Sequence, residues 1–410
     1  MSPPPPPSIE PRSSLAGMPA TAVTPAAVES WLGTVAGEVV RALGVPPLAL
    51  LLGGSHAAGE GVWTRFDDRR VTLSDLDLWA VFPDERARRV AAQRLEAAMP
   101  ALTAAATALG VLAPVEVMLV TPATLAQLPA RPATLELRAR GRAVAGDPSW
   151  LERVPGYAPR EVPAEERLLL LENRAFELLW AHDARAGGTP LGALRARHAV
   201  LKTALELVAV LALAHGELPL GATARVAWAR TRLAGDRALA WLPATGLETL
   251  WEAALAWRAG AATALPESEA AAEWRRAVSA WVAVWRHVSG AGGADPVAHA
   301  LALAARAPWP RRVRRSLRPL PGAEALGLGG RLAAARHGTP QHRLGGSAAI
   351  LLVAAAGAGA TSPVLDPAAS RALRSLAVAP VTADWAEAAR ALTHRWDIWV
   401  LGGRRGTVAA

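Results

Sequence analysis

Cysteine is missing from all 410 residues, so no disulfide staples the fold and no thiolate is there to hold a metal. That fits a reducing compartment, and a cytoplasmic location is the expectation. Lysine is almost missing: of 44 basic residues, 43 are arginine and one, Lys202, is lysine. Asparagine and tyrosine also occur once each, as Asn173 and Tyr157. The histidines show neither HExxH nor HxxxH spacing, and there is no GxxxxGK[ST] run, which removes a zincin helix and a P-loop from consideration. Long apolar runs are absent too. The best, at 347–360, is alanine- and glycine-rich and too short to span a bilayer. The start, Met1-Ser2 followed by five prolines, lacks the charged and apolar regions of a signal peptide. No membrane association is expected.

What is present bounds the fold more than the function. A chain of this length holds two or three domains, and 52% hydrophobic residues suffice for real cores. The net charge of +9 is concentrated between Arg306 and Arg343, where nine arginines face one acid, Glu324. This strip is rich in proline and glycine, with Trp309 its only aromatic. A single-strand binder interleaves aromatics with its cations. Nucleic acid is therefore disfavoured as a partner, and the strip is expected to lie over acidic helices.

The most informative residues are Leu50-Leu51-Leu52-Gly53-Gly54-Ser55-His56 and Ser74-Asp75-Leu76-Asp77-Leu78-Trp79. The first reads as an apolar strand running into a glycine turn with a small hydroxyl. The second reads as a strand carrying two carboxylates at i and i+2, and therefore on one face. Two acids side by side repel unless a cation sits between them, and an all-oxygen set of this kind suits Mg²⁺. Gly54 allows a phosphate to approach the backbone closely, and Ser55 can donate to its oxygens.

Together these residues resemble the nucleotidyltransferases of the DNA polymerase β superfamily, whose signature is hG[GS], a spacer, then [DE]h[DE]h, with a third acid on a later strand. Glu116, in Pro114-Val115-Glu116-Val117, is the candidate third acid, and the wording is most like the aminoglycoside adenylyltransferase branch. The spacer of nineteen residues between Ser55 and Asp75 is longer than in many members. The resemblance implies Asp75, Asp77 and Glu116 as catalytic acids and ligands of two Mg²⁺ ions. It implies Gly53, Gly54 and Ser55 as the nucleotide-binding turn. Lys202, in a strong helical pattern, would meet the nucleotide phosphates, a task suited to a compact point charge. The implied reaction moves a nucleoside monophosphate, AMP first, from an NTP (ATP) to a hydroxyl of a small acceptor, releasing pyrophosphate. Nucleotidylation of a protein or tRNA, or a non-catalytic nucleotide sensor, are the alternatives.

The expected fold is α/β followed by all-α. A disordered Pro-rich tail occupies 1–25 and a mixed-sheet nucleotidyltransferase domain 26–150. A helical bundle covers 160–307, and a basic linker with a helical C-terminal extension covers 308–410. Helices are expected at 25–43 and 84–99, strands at 48–52 and 75–82, and a loop or hairpin at 59–72 whose acids are Glu60, Asp67 and Asp68. The stripe Trp274, Trp281 and Trp285 lies on one helix face and is expected in the bundle core. His56 is expected to brace the turn.

Overall fold

The computed structural model describes residues 24–67, 69–260, 263–291, 295–317, 328–358, 362–376 and 384–400. Nearly all of the Pro-rich tail, Asp68 and the middle of the basic strip lie outside these. Helix α1 (Pro25–Leu43) starts on Thr24, whose side chain accepts from the Ala27 amide, with Pro25 in the first turn. Strand β1 (Ala49–Leu52) follows, then the short α2 (Gly54–Ala57), β2 (Trp63–Phe66), β3 (Arg69–Thr72) and β4 (Leu76–Val81). Helix α3 (Glu85–Ala108) leads to β5 (Val115–Val120), α4 (Pro122–Leu125), α5 (Pro132–Arg140) and β6 (Arg142–Gly146). The nineteen-residue spacer is thus spent on the β2–β3 hairpin.

The main sheet has the order β5-β4-β1-β6, with β4 and β5 parallel and β1 antiparallel to both of its neighbours. Alternation along β1 sorts its side chains. Leu50 and Leu52 enter the core under α1 and α3, whereas Ala49 and Leu51 enter the opposite core with Leu125 and Leu137. Helix α3 runs nine residues beyond the expected end at 99, through Pro100. Proline removes one amide donor, but Leu95, Leu102 and Ala106 stay on one buried face, and that packing carries the helix past the break.

The remainder is helical. First come α6 (Ala164–Ala186), α7 (Pro190–Ala214), α8 (Ala222–Gly235), α9 (Leu247–Arg258), α10 (Glu267–Ser289) and α11 (Pro296–Ala304). Then follow α12 (Trp309–Leu317), α13 (Leu328–Ala335), α14 (Pro340–Gly357), α15 (Pro367–Leu376) and α16 (Trp385–Val400). The tryptophan stripe on α10 is buried, and the indoles of Trp274 and Trp281 donate to the carbonyls of Leu178 and Leu171 on α6 at 2.8 and 2.9 Å. The helices after 308 share this core: Trp396 stacks on Phe176 with centroids 3.9 Å apart, and the Trp385 indole donates to the Leu351 carbonyl.

Helix α14 runs through Gly345 and Gly346, which are packing glycines. A Cβ on Gly345 would overlap the Glu172 side chain, and one on Gly346 would sit 3.0 Å from the Ala304 methyl. Two arginines of the strip meet acids, Arg306 with Glu172 at 2.9 Å and Arg311 with Glu165 at 3.9 Å, whereas Arg312 and Arg343 donate to the carbonyls of Arg336 and Leu376. Among the described residues, no helix is long and apolar enough to cross a membrane.

The helical part grips the sheet part directly. Val62 and Leu73, flanking the hairpin, are buried in the helical core. Arg258 donates to the Glu60 carbonyl at 2.5 Å, Arg195 to the Leu112 carbonyl, and Arg131 pairs with Glu166 at 3.0 Å. These ties hold α7 over the end of β4, where the acids lie.

Candidate active site

Strand β4 alternates as its sequence demands, with Leu76, Leu78 and Ala80 buried and Asp77 and Trp79 on the opposite face. Asp75 stands at the entry to the strand. The glycine turn is tied to the same place, because the Gly53 amide donates to the Asp77 carbonyl at 2.8 Å. Gly54 has φ +64, and a Cβ there would overlap Asp77 Oδ2. Glycine is required at this point twice, for its backbone and for its missing side chain. Gly54→Ala should therefore lose about 1–2 kcal/mol from the left-handed backbone alone. It should also push Asp77 aside, so the denaturation midpoint falls further; an alanine variant with the wild-type midpoint would refute the fit.

Gly54, Ser55, Asp75, Asp77 and Lys202 line one cleft of about 140 Å³ between the sheet edge and α7. Its remaining wall is ionic. Glu60 meets Arg140 at 3.2 Å and Arg258 at 3.9 Å, and Arg225 bridges Glu206 at 3.0 Å and Glu136. A second cleft of about 150 Å³ shares Asp75, His198 and Lys202 with the first. The shared wall is an ion pair, Lys202 Nζ to Asp75 Oδ2 at 2.6 Å, with Glu177 3.8 Å from the same ammonium. Size alone would have misled. A larger hollow, about 860 Å³, lies behind the turn against His56, Trp63 and Arg142, and none of the motif acids reaches it.

The electrostatics follow from burial and crowding. Burial, followed by the charge of Asp75, pushes the Asp77 carboxyl up to about 7; Lys202 opposes this and Glu116 adds to it. Burial works against the charge on Lys202, but Asp75 and Glu177 outweigh it and hold its pKa above the ordinary lysine value. Burial, then Lys202, pushes His198 down to about 3. The Trp257 indole donates to its Nδ1 at 3.3 Å, which leaves the ring proton on Nε2. His56 is a brace: it is buried, bonded to the Thr72 hydroxyl at 3.0 Å through Nε2, and set against Trp31 and Trp63.

Glu116 is directly opposite Asp77 in the parallel β4–β5 register, on the same sheet face, and its charge is felt there. It does not line either cleft, and neither does Gly53, whose contribution is the backbone tie. Among the described residues, no three acidic or histidine side chains are gathered closely enough to make a metal cage by themselves. The donor set nevertheless fits Mg²⁺, which takes one or two carboxylates and fills its shell with water and phosphate oxygens. Asp75 and Asp77 would supply those two, and a cation there would relieve the repulsion from Asp75 that adds to burial in raising Asp77.

Sequence reasoning missed Glu136, Arg140, His198, Glu206, Arg225 and Arg258. One signal was there to find. His198, Lys202 and Glu206 are spaced i, i+4 and i+8 along the mostly apolar α7, and all three face the cleft. Glu60, one of the acids of the 59–72 segment, is bound into the wall. No known family, no curated protein and no solved structure matches the chain.

Proposed function

We propose that this protein is a nucleotidyltransferase that moves a nucleoside monophosphate, AMP by preference, from an NTP to a hydroxyl of a small acceptor and releases pyrophosphate. The reading rests on one observation: Gly54, Ser55, Asp75, Asp77 and Lys202, scattered over 149 positions, converge on a single cleft, with Glu116 across the sheet from Asp77. In this reading Gly54 and Ser55 cradle the leaving β- and γ-phosphates, and Lys202 neutralises charge on the triphosphate from the helical side. Asp75 and Asp77 would hold two Mg²⁺ ions. A divalent cation bound there stabilises charge on the phosphates and lowers the pKa of the acceptor hydroxyl. Glu116, as the third acid, takes the hydroxyl proton. The acceptor O–P bond forms as the bond from the α-phosphorus to the β-phosphate oxygen breaks.

The test is incubation of the purified protein with α-labelled NTPs, Mg²⁺ and a cell extract. Label leaving the nucleotide for a small molecule, with stoichiometric pyrophosphate, supports the proposal. Label on protein or RNA would move it to a macromolecular acceptor, and saturable NTP binding without transfer would make the protein a sensor.

Lys202 gives a sharper check. Its ammonium sits between Asp75 at 2.6 Å and Glu177 at 3.8 Å, a position for a point charge rather than a planar fork. Lys202→Arg keeps the charge but should weaken NTP binding by about tenfold, read by titration calorimetry. Equal affinity would mean that the lone lysine has no phosphate role.

A further inference from the structure

The two clefts that meet at the Lys202–Asp75 pair differ in chemistry and in side. The first is ionic and lies on the β1 side of the pair, against the glycine turn. The second lies on the β5 side, because three of its walls, Leu112, Ala113 and Pro114, are the lead into β5. Leu73, Trp180 and Ala199 complete an apolar lining. Polar groups reach it where it adjoins the pair, through Asp75, Lys202, His198 and Glu177, and Arg195 also borders it. Apolar walls with a few convergent polar groups are the usual make-up of a small-molecule site.

We propose that this second cleft is the acceptor site, and that the acceptor is a compact, uncharged hydroxyl compound built on an apolar ring. This rests on the nucleotidyl-transfer reading above. In-line displacement puts nucleophile and leaving group on opposite sides of the phosphorus. With pyrophosphate at the Gly54–Ser55 turn, the attacking hydroxyl comes from the far side of Asp75. That is the β5 side, where Glu116 stands two residues beyond Pro114. The hydroxyl's proton reaches Glu116, which stands just outside the lining, through one water as the oxygen bonds to phosphorus and pyrophosphate departs.

Charge excludes a polycation. Every carboxylate that reaches this cleft is already paired: Asp75 with Lys202 at 2.6 Å, and Glu177 with Arg174 at 2.6 Å and Lys202 at 3.8 Å. Arg195 adds a further cation to the wall. An ammonium-bearing sugar would find no carboxylate to receive it, whereas a ring gains by covering Trp180, Pro114 and Leu112. His198 contributes a neutral Nε2–H, a donor for a hydroxyl oxygen.

The experiment is saturation-transfer NMR with benzyl alcohol and with kanamycin on the full chain, holding Mg²⁺ and a non-hydrolysable ATP analogue. The analogue's own affinity is measured by calorimetry. Benzyl alcohol is expected to bind, and Ala113→Trp, which fills the cleft, and Trp180→Ala, which strips one wall, should each weaken it by about tenfold. Analogue affinity should stay within about twofold, which also reports that the variants are folded. Binding of kanamycin in place of benzyl alcohol would overturn the acceptor class. Loss of analogue affinity in Ala113→Trp, with circular dichroism unchanged, would give the cleft to the nucleobase and overturn the assignment. If the wild-type chain binds no analogue at all, the nucleotidyl-transfer reading itself falls, and the proposal with it.

Discussion

Asp77→Asn should lower turnover by about 10³-fold or more while leaving the protein folded and, above neutral pH, more stable than the parent. The loss follows from the position of the residue. Asp77 touches the glycine turn, shares a strand face with Asp75 and lies opposite Glu116. In the proposed reaction it is the acid that links the cation to the glycine turn. Removing its charge forfeits several kcal/mol of transition-state stabilisation, which converts to that factor. The stability gain follows from its titration. The folded carboxyl, with its pKa at about 7 against an ordinary 3.8, keeps a proton that the unfolded chain releases. Where the folded state binds the extra proton, stability falls as pH rises. The parent should therefore lose stability between about pH 4 and pH 7 and level off above. Asparagine has no such slope. Urea midpoints of the two proteins across pH 4–8, together with pyrophosphate release, test both halves. A variant that keeps turnover removes Asp77 from the chemistry, and a parallel pH profile removes the crowding argument.

The parts of this site legible in the sequence are those whose pattern is local. A period of two along Asp75-Leu76-Asp77-Leu78 fixes which side chains share a face before any partner strand is known. The turn after Leu52 announces itself through Gly53 and Gly54. Lys202 stands out because composition has removed every other lysine. The ionic wall has no such signature. Arg140, Arg225 and Arg258 come from α5, α8 and α9, and the first two sit in helices that also carry exposed arginines, Arg138 and Arg230. Which arginine is buried is decided by how helices far apart in sequence pack, and periodicity within one helix does not report it. Glu60 illustrates the same point, since its partners are 80 and 198 residues away. Pro100 and the Gly345–Gly346 pair mark the converse error. Local rules end a helix there, and tertiary packing overrides them.

Arg225→Ala should destabilise the fold by about 3 kcal/mol, the largest effect on stability expected from a single change at this site. Arg225 is buried on α8 and spans α7 and α5, with Glu206 at 3.0 Å on one side and Glu136 on the other. Burial pushes Glu136 up. For Glu206 burial acts in the same sense, but Arg225, with Arg174 and Lys202, holds it below its ordinary value. Truncating the guanidinium leaves two acids facing each other across the joint between sheet and bundle. The low end of the range for a broken buried pair applies, because both carboxylates keep some contact with solvent. The two acids can escape by protonation, so the deficit of Arg225→Ala against the parent should shrink as pH is lowered toward 5. Adding Glu136→Gln and Glu206→Gln to the alanine variant should recover most of it, since what remains is neutral and able to hydrogen-bond. Chemical denaturation of the single and triple variants at pH 5 and pH 8 separates the possibilities. A single variant within about 1 kcal/mol of the parent would place Arg225 among weakly contributing surface pairs. A triple variant no better than the single would locate the loss in packing, not in charge. Because the same arginine fixes α8 against the cleft wall, the single variant should also weaken NTP binding at pH 8, whereas the triple should regain fold stability without fully regaining affinity.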